Sequence, residues 1–185
     1  SVRDRTTPWY DELAEAGDPD ALYNLAQNFE HGLFGRPLDL ARAAELYEKS
    51  AGQGHHFAQN NLALLYRKLN EEAAAHGGGG DPGLLDKSAA LLLAAAAAGF
   101  ALAQKNLAVA FANGHGVQQD DAQAICWMRQ SAEQHEVEAA FMLGEFCRQG
   151  RGGPRDLVEA MRWYERSAEA GFPRAQFTLG MMLLE

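Results

Sequence analysis

Histidine and cysteine side chains are the first candidates for chemistry in this sequence, and their spacing decides whether they bind metal. The sequence contains neither a His-x3-His pair nor a His-Glu-x2-His motif, the spacings that place two zinc ligands on one helical face. Cys126 and Cys147 are too far apart for a local zinc knuckle and too few for a disulfide framework. The six histidines are His31, His55, His56, His76, His115 and His135. We therefore predict no metal site and no cofactor.

Motifs for catalysis are also missing. The adjacent carboxylates Asp120 and Asp121 are explained as a helix cap followed by a charge in the first helical turn. The glycine run at 77–80 lacks the Gly-Lys-Ser/Thr sequence and the preceding strand of a phosphate-binding loop. No nucleophile elbow is present. The sequence therefore predicts a protein that is not an enzyme, with a hydrolase as the least favoured alternative.

Composition and charge exclude two classes of partner. The 185 residues are 47% apolar, which is enough for a sizeable core, and 16 basic against 25 acidic residues give a net charge of −9. This charge repels phosphate backbones, so we predict no nucleic-acid partner. The longest apolar run, 89–100, is mostly alanine and is shorter than the roughly 20 residues of a spanning helix, so we predict no membrane insertion in this segment.

A helical pattern that recurs along the chain must position whatever site exists. Small and large apolar residues repeat in one frame, whose successive starts lie 37, 45, 36 and 36 residues apart at Ala21, Ala58, Ala103, Ala139 and Ala175. Positions 0, +4, +5 and +8 of this frame form an apolar face. On this basis Cys147 and Leu143 are core residues, whereas Cys126 is a surface residue.

The frame predicts an all-α fold, a right-handed α-α superhelix (solenoid) of antiparallel helix pairs with about four full repeats and a half repeat at each end. We expect one domain, 1–185, made of helix 7–16, repeats 19–54, 56–99, 101–135 and 137–171, and a final helix 173–185. The second repeat has nine extra residues, which we assign to a non-helical loop at 76–83 because this segment is rich in glycine.

Helix ends are predicted by capping residues. Asp39, Asp120 and Asp156 precede second helices at the distance expected of an N-cap. At the far ends, Gly17, Gly54, Gly99 and Gly171 follow the last helical residue, where a left-handed backbone is needed, and His135 departs from this glycine pattern.

The best-preserved copies carry a family resemblance. One runs from Leu107 through Gly116-Val117 to Asp120, Ala124 and Trp127; the next has Leu143-Gly144, Gly150, Gly152, Asp156, Ala160 and Trp163-Tyr164. This pattern resembles the Sel-one-like repeats (SLR), a branch of the tetratricopeptide-like α-solenoids. The resemblance implies an adaptor or scaffold role, often in signalling or at the bacterial cell envelope. It favours the periplasm over the cytoplasm as the compartment.

A stripe on the first helix of each repeat, opposite the apolar face, lines the concave groove in related solenoids. We predict that it binds a protein or peptide segment, with the cations Arg67, Lys105 and Arg148 holding acidic groups. The predicted site residues are Tyr23, Gln27, Phe57, Asn60, Leu64, Arg67, Leu102, Lys105, Val109, Phe141, Glu145, Arg148 and Phe177. The alternative is that tight curvature packs these aromatic side chains against neighbouring repeats.

Two further interpretations stay open. Relatives that contact cell-wall glycans suggest a saccharide-binding module, but Trp9, Trp127 and Trp163 hold repeat-core positions rather than exposed ones. The chain also stops inside a helical stretch, so we expect a piece of a longer protein. Its uncapped C-terminal end could support self-association.

Overall fold

Helices follow one another through the whole part of the chain that the structure describes. A computed structural model describes residues 7–77 and 79–182, with side chains from Tyr10 onward, and these residues form helices and connections without a strand. The helices are α1 (Thr7–Glu15), α2 (Pro19–His31), α3 (Leu40–Ala51), α4 (His56–Ala75), α5 (Pro82–Ala97), α6 (Ala101–Asn113), α7 (Asp121–Glu133), α8 (Val137–Gln149), α9 (Leu157–Glu169) and α10 (Pro173–Met182).

The chain divides into two compact units, Ser1–Ala95 and Ala96–Glu185. In the first unit α2 packs on α1 and α3, and α3 packs on α4. In the second unit each helix from α6 to α10 packs on the next. The short connections within each unit are typical of neighbouring helices that run antiparallel. The predicted all-α class of paired helices is confirmed.

The predicted helix caps are confirmed. Asp39, Asp120 and Asp156 each accept a hydrogen bond from a backbone N–H in the first turn of the next helix at 2.9 Å. The four glycines predicted to end helices have φ between 84° and 89°. His135 has φ 67°, so a residue with a Cβ adopts the left-handed backbone at the fifth equivalent position.

The nine extra residues of the second repeat lie mainly in helices, so the prediction of a non-helical segment at 76–83 is partly wrong. Helix α4 has 20 residues against 13 in α6, and α5 has 16 against 13 in α7. The connection at 76–81 is one residue shorter than its equivalent at 114–120. Pro82 begins α5 because its missing N–H costs nothing at the first helical position, and Asp81 accepts a bond from the backbone N–H of Gly83 at 2.9 Å.

Each unit has its own apolar core. Small residues allow the helices to approach closely: the alanines that begin each repeat frame are at most 1% exposed. Larger side chains such as Tyr47 and Leu62 fill the first core, and Met128 and Leu143 fill the second. The face that the frame assigned to the core is therefore the buried one.

Buried serines join the two helices of a repeat. The hydroxyl groups of Ser50, Ser131 and Ser167 donate to carbonyl oxygens in the first turn of the preceding first helix, those of Pro19, Ala101 and Val137, at 2.7 to 2.8 Å. All three serines are 0% exposed. Each bond satisfies a buried hydroxyl and aligns the two helices.

A glycine and a tyrosine pack closely together in the second unit. A Cβ placed on Gly144 would lie 2.8 Å from the ring of Tyr164. The Tyr164 hydroxyl donates to Glu145 at 2.5 Å, as Tyr47 does to Glu30 at 2.6 Å in the first unit. Burial, followed by the bond to the carboxylate, raises the pKa of both tyrosines.

Candidate functional site

An exposed aromatic cluster lies on the predicted stripe of the first unit. The ring centroid of Tyr23 lies 4.9 Å from that of His55 and 6.0 Å from that of Phe57. Phe57 is 51% exposed, and the Tyr23 and His55 side chains are partly exposed. Helices α2 and α4 therefore present one apolar aromatic surface. The sequence predicted Tyr23 and Phe57 but missed His55, which begins the turn into α4.

Polar groups hold this cluster in place. The Nε2 of Gln27 donates to the Tyr23 hydroxyl at 2.9 Å. His55 accepts a bond at Nδ1 from the backbone N–H of Ala58, at 3.1 Å, and therefore caps α4. Its Nε2 lies 2.9 Å from a carboxylate oxygen of Asp20. Because Nδ1 is an acceptor, Nε2 carries the proton and donates to Asp20.

The other predicted residues of this unit differ in accessibility. Asn60 is 4% exposed, so its side chain belongs to the interior. Leu64 is half-buried. Arg67 is half-buried, and its Nε lies 3.5 Å from Glu71 on the same helix. The surface on α2 and α4 is therefore smaller than the predicted stripe.

In the second unit the predicted stripe leads to an open depression of about 370 Å³. Its walls include Phe141 and Glu145 of α8 and Arg174 and Phe177 of α10. Phe177 is 72% exposed, whereas Phe141 is 4% exposed. Phe141 packs against the ring of Phe172, 5.4 Å away. In this unit the aromatic side chain of Phe177 is therefore exposed, as the groove prediction requires, whereas that of Phe141 is packed, as the alternative stated.

The three cations assigned to hold acidic groups already have carboxylate partners. Besides Arg67, Lys105 binds Glu138 at 2.6 Å, and Arg148 binds Glu145 at 2.8 Å. Burial opposes the charge of Glu145, but its bonds from Arg148 and Tyr164 prevail and lower the pKa of its carboxyl. These cations therefore contribute first to the unit's own structure.

Arg174 lies at a position of the predicted stripe, but the sequence prediction did not include it among the binding cations. Its guanidinium carbon lies 4.9 Å from the centroid of the Phe141 ring, in a cation–π contact, and no ion pair to Arg174 occurs among the described residues. The repeat frame offers the signal, because Arg174 directly precedes the start of the frame at Ala175, just as Glu138 directly precedes Ala139.

The α6 part of the stripe is a modest surface. Leu102 is 38% exposed, and Val109 and Lys105 are half-buried. The pair Lys105–Glu138 joins α6 to α8 and so links the first helices of two neighbouring repeats.

Neither Trp127 nor Trp163, the tryptophans whose side chains the structure describes, offers a free ring for a saccharide. Trp127 and Trp163 are partly buried against the core of the second unit, and the Trp9 side chain lies outside the described residues. Trp163 also faces an open depression, but guanidinium groups of Arg129 and Arg166 lie 5.8 and 5.5 Å from its ring centroid. A sugar would have to displace them to stack on this ring.

The thiols are free, with Cys147 buried and Cys126 exposed, as predicted. Burial raises the pKa of the Cys147 thiol. Within residues 7–77 and 79–182, no group of three or more metal-binding side chains converges. In the same residues, no helix has both the length and the apolar character needed to cross a bilayer.

Comparison with known proteins identifies the family. The sequence profile of the Sel1 repeat matches residues 19–55, 101–135 and 137–172, more than half of the chain. The chain belongs to the Sel1 repeat family, and the predicted resemblance and solenoid class are confirmed. Proteins of this family are commonly protein-interaction scaffolds. No curated protein matches the chain.

Solved structures show the same fold. The Escherichia coli protein c5321, a protective antigen of uropathogenic strains with an SLR fold, matches 94% of this chain at 33% identity with a TM-score of 0.84. A Sel1 repeat protein from Oxalobacter formigenes matches 92% at 26% identity with a TM-score of 0.77. The chain covers 35% and 64% of these two proteins, so it spans about a third of the first and just under two thirds of the second.

Proposed function

We propose that this chain is a non-catalytic scaffold that binds a segment of another protein through the aromatic surfaces on its first helices. The observation that carries the proposal is the exposure of large aromatic side chains on the predicted stripe in both units: Phe57 is 51% and Phe177 is 72% exposed. Exposed apolar side chains that cluster in this way commonly mark interaction sites.

The surface of the first unit suits an apolar or aromatic anchor. Tyr23, His55 and Phe57 lie within 6.0 Å of one another by ring centroids, and hydrogen bonds from neighbouring groups hold Tyr23 and His55. Rigid aromatic side chains bind at a low entropic cost, since little side-chain freedom remains to be lost. The cluster can therefore receive an apolar side chain without rearrangement.

The depression of the second unit is lined by a positively charged side chain, Arg174, in addition to aromatic ones. Arg174 is exposed and has an aromatic ring at its side rather than a carboxylate. Phe177, three residues further along α10, also lines the depression. An acidic group next to an apolar one fits this pair, because the guanidinium can form a bidentate bond with a carboxylate. In this proposal Arg174 takes the role that the sequence gave to Arg67, Lys105 and Arg148.

Peptide selection on the intact chain tests the proposal. Random peptides displayed on phage are selected, and the enriched sequences are synthesised and titrated by fluorescence polarisation. We expect these peptides to include a class whose affinity falls at least tenfold in the variants Phe57→Ala or Phe177→Ala. The control is Val158→Ala on α9, which removes a side chain that is 64% exposed outside both surfaces.

The proposal would be contradicted if every enriched peptide bound the wild-type chain and a Phe57→Ala, Phe177→Ala double variant with equal affinity. The buried residue Phe141, although predicted as a site residue, is unsuitable for this test because its removal would damage the core. Retention of the chain on purified cell-wall polymer, with no peptide enriched, would instead favour the glycan-binding alternative.

A further inference from the structure

A cavity in the first unit lies beside the stripe described above and has no assigned role. It has a volume of about 350 Å³ and is bounded by α1, α2 and the connection between α2 and α3. Its lining combines apolar side chains, among them Tyr10, Leu25 and Phe34, with the carboxamides of Asn24 and Asn28. Sites of this size and mixed character are typical of ligand pockets.

Phe34 lines this cavity, and its backbone adopts a strained left-handed conformation. Its φ is 53°, whereas the equivalent positions of two other connections hold Gly116 and Gly152, both with φ 69°. A bulky residue in this left-handed region is a genuine outlier, and such strain gathers at functional sites. The ring is 66% exposed, so core packing does not explain why phenylalanine replaces glycine here.

The polar residues of the lining also differ from the residues at the same positions of the other repeats. At the position of Asn28 the other internal first helices carry the buried apolar residues Leu65, Ala110 and Phe146. The Asn28 carboxamide has no hydrogen-bond partner among the described residues, and Asn24 uses only its Nδ2, toward the Asp20 carbonyl at 2.9 Å. Donors and acceptors therefore remain unused along one edge of α2.

The spacing of these carboxamides fits an extended peptide. Asn24 and Asn28 are one turn apart, a rise of about 6 Å along α2. Alternate residues of an extended chain are about 6.6–6.8 Å apart. Each carboxamide offers both a donor and an acceptor, so each can pair with the N–H and the C=O of a peptide backbone.

Arg36 and Asp11 of the cavity lining form an ion pair with each other. The guanidinium of Arg36 binds Asp11 at 2.5 Å and lies 5.1 Å from the ring centroid of Phe29. This contact ties the connection that carries Phe34 to α1 and α2. It also pairs the arginine and the aspartate of the lining with each other, so that neither charge is left to attract a strongly acidic or basic ligand.

We propose that this cavity binds an extended, uncharged peptide segment. One large apolar side chain of the peptide lies between Phe34, Leu25 and Tyr10, and the peptide backbone pairs with the carboxamides of Asn24 and Asn28. This site is separate from the aromatic surfaces of the proposed function, because it does not use Phe57 or Phe177.

Two substitutions separate binding from folding. Phe34→Gly restores the residue that the equivalent connections carry, so we expect thermal unfolding at an unchanged or higher temperature. Asn28→Leu restores the apolar residue of the other repeats. The control is Leu38→Ala, in the same connection, where the side chain is 66% exposed and does not line the cavity.

The probes are capped heptapeptides enriched from a phage-displayed library on the intact chain. We expect a class of uncharged peptides with one large apolar residue, whose affinity falls at least tenfold in Phe34→Gly and in Asn28→Leu. It should not change in Leu38→Ala or in Phe57→Ala, so this result is distinct from that for the aromatic surfaces. If no enriched peptide depends on Phe34, the proposal is wrong.

Sedimentation velocity tests the other occupant, a second copy of the chain. The proposal predicts the same sedimentation coefficient for the wild-type chain and for Phe34→Gly at every concentration. A wild-type dimer that Phe34→Gly converts to monomer would overturn the peptide assignment.

Discussion

Replacing Gly144 by alanine tests the packing of the second unit, because the repeat supplies its own control. The new Cβ would lie 2.8 and 2.9 Å from two carbon atoms of the Tyr164 ring and 3.2 Å from the Ala160 carbonyl oxygen. Tyr164 is 0% exposed, and its hydroxyl is bonded to Glu145, so the ring has no free space into which it can move. Gly180 occupies the same repeat position 36 residues later, and no atom of the described residues lies within 4 Å of a Cβ placed there.

Two opposing effects determine how much each substitution changes the free energy of unfolding. Alanine is favoured over glycine inside a helix by about 1 kcal/mol, and overpacking a filled site costs about 1–3 kcal/mol. At Gly180 only the helical preference acts, so Gly180→Ala should raise the free energy of unfolding by up to about 1 kcal/mol. At Gly144 both effects act. The Gly144→Ala substitution should therefore leave the free energy of unfolding unchanged or lower it by up to about 2 kcal/mol.

Urea unfolding followed by circular dichroism at 222 nm measures both variants against the wild-type chain. The difference between the two sites, about 1–3 kcal/mol, is the reliable quantity because the helical preference cancels. If Gly144→Ala stabilises the chain as much as Gly180→Ala does, the contact between Gly144 and Tyr164 is not the tight one described above.

Four further predictions concern stability and reactivity. Leu143→Ala should lower the free energy of unfolding by about 2–5 kcal/mol through lost burial and a cavity, measured in urea; an unchanged midpoint would contradict the core assignment. Asp120→Ala should cost about 1 kcal/mol by removing an N-cap, in the same assay. Because the pKa of Glu145 is lowered in the folded chain, its stabilisation is present above the ordinary carboxyl pKa and is lost as pH falls through the lowered one; Glu145→Gln should weaken the acid dependence of the unfolding midpoint. A thiol reagent such as DTNB should modify Cys126 in the native chain but Cys147 only after unfolding, since Cys147 is buried and its pKa is raised.

The features that the sequence predicted well are local. An N-cap needs only its own carboxylate and the next turn, so Asp39, Asp120 and Asp156 could be identified from their positions alone. Core residues such as Leu143 could be assigned because the repeat frame places the same face inward each time. The extent of the insertion was harder: the glycine run at 77–80 marks where the helices stop, whereas the residues before it, 69–75, continue α4.

The features that the sequence missed depend on side chains from distant positions. Lys105 lies on the same predicted stripe as Arg67 and Arg148, but its charge is paired with Glu138, 33 residues away. Phe141 is buried because Phe172, in the connection before α10, packs against it. Strain at Phe34 is also invisible in the sequence, although a phenylalanine where two equivalent connections carry glycine was a signal that could have been followed.

The serine bonds have a consequence for how the chain folds. Each joins positions only 30 or 31 residues apart, so a helix pair carries the information for its own alignment and needs nothing from remote parts of the chain. Interactions of such short range close small loops and favour rapid folding. Folding can then start at any pair that forms first and spread outward to its neighbours, as in a one-dimensional array. For the same reason, a single pair could be duplicated or exchanged between related chains without loss of register in the rest.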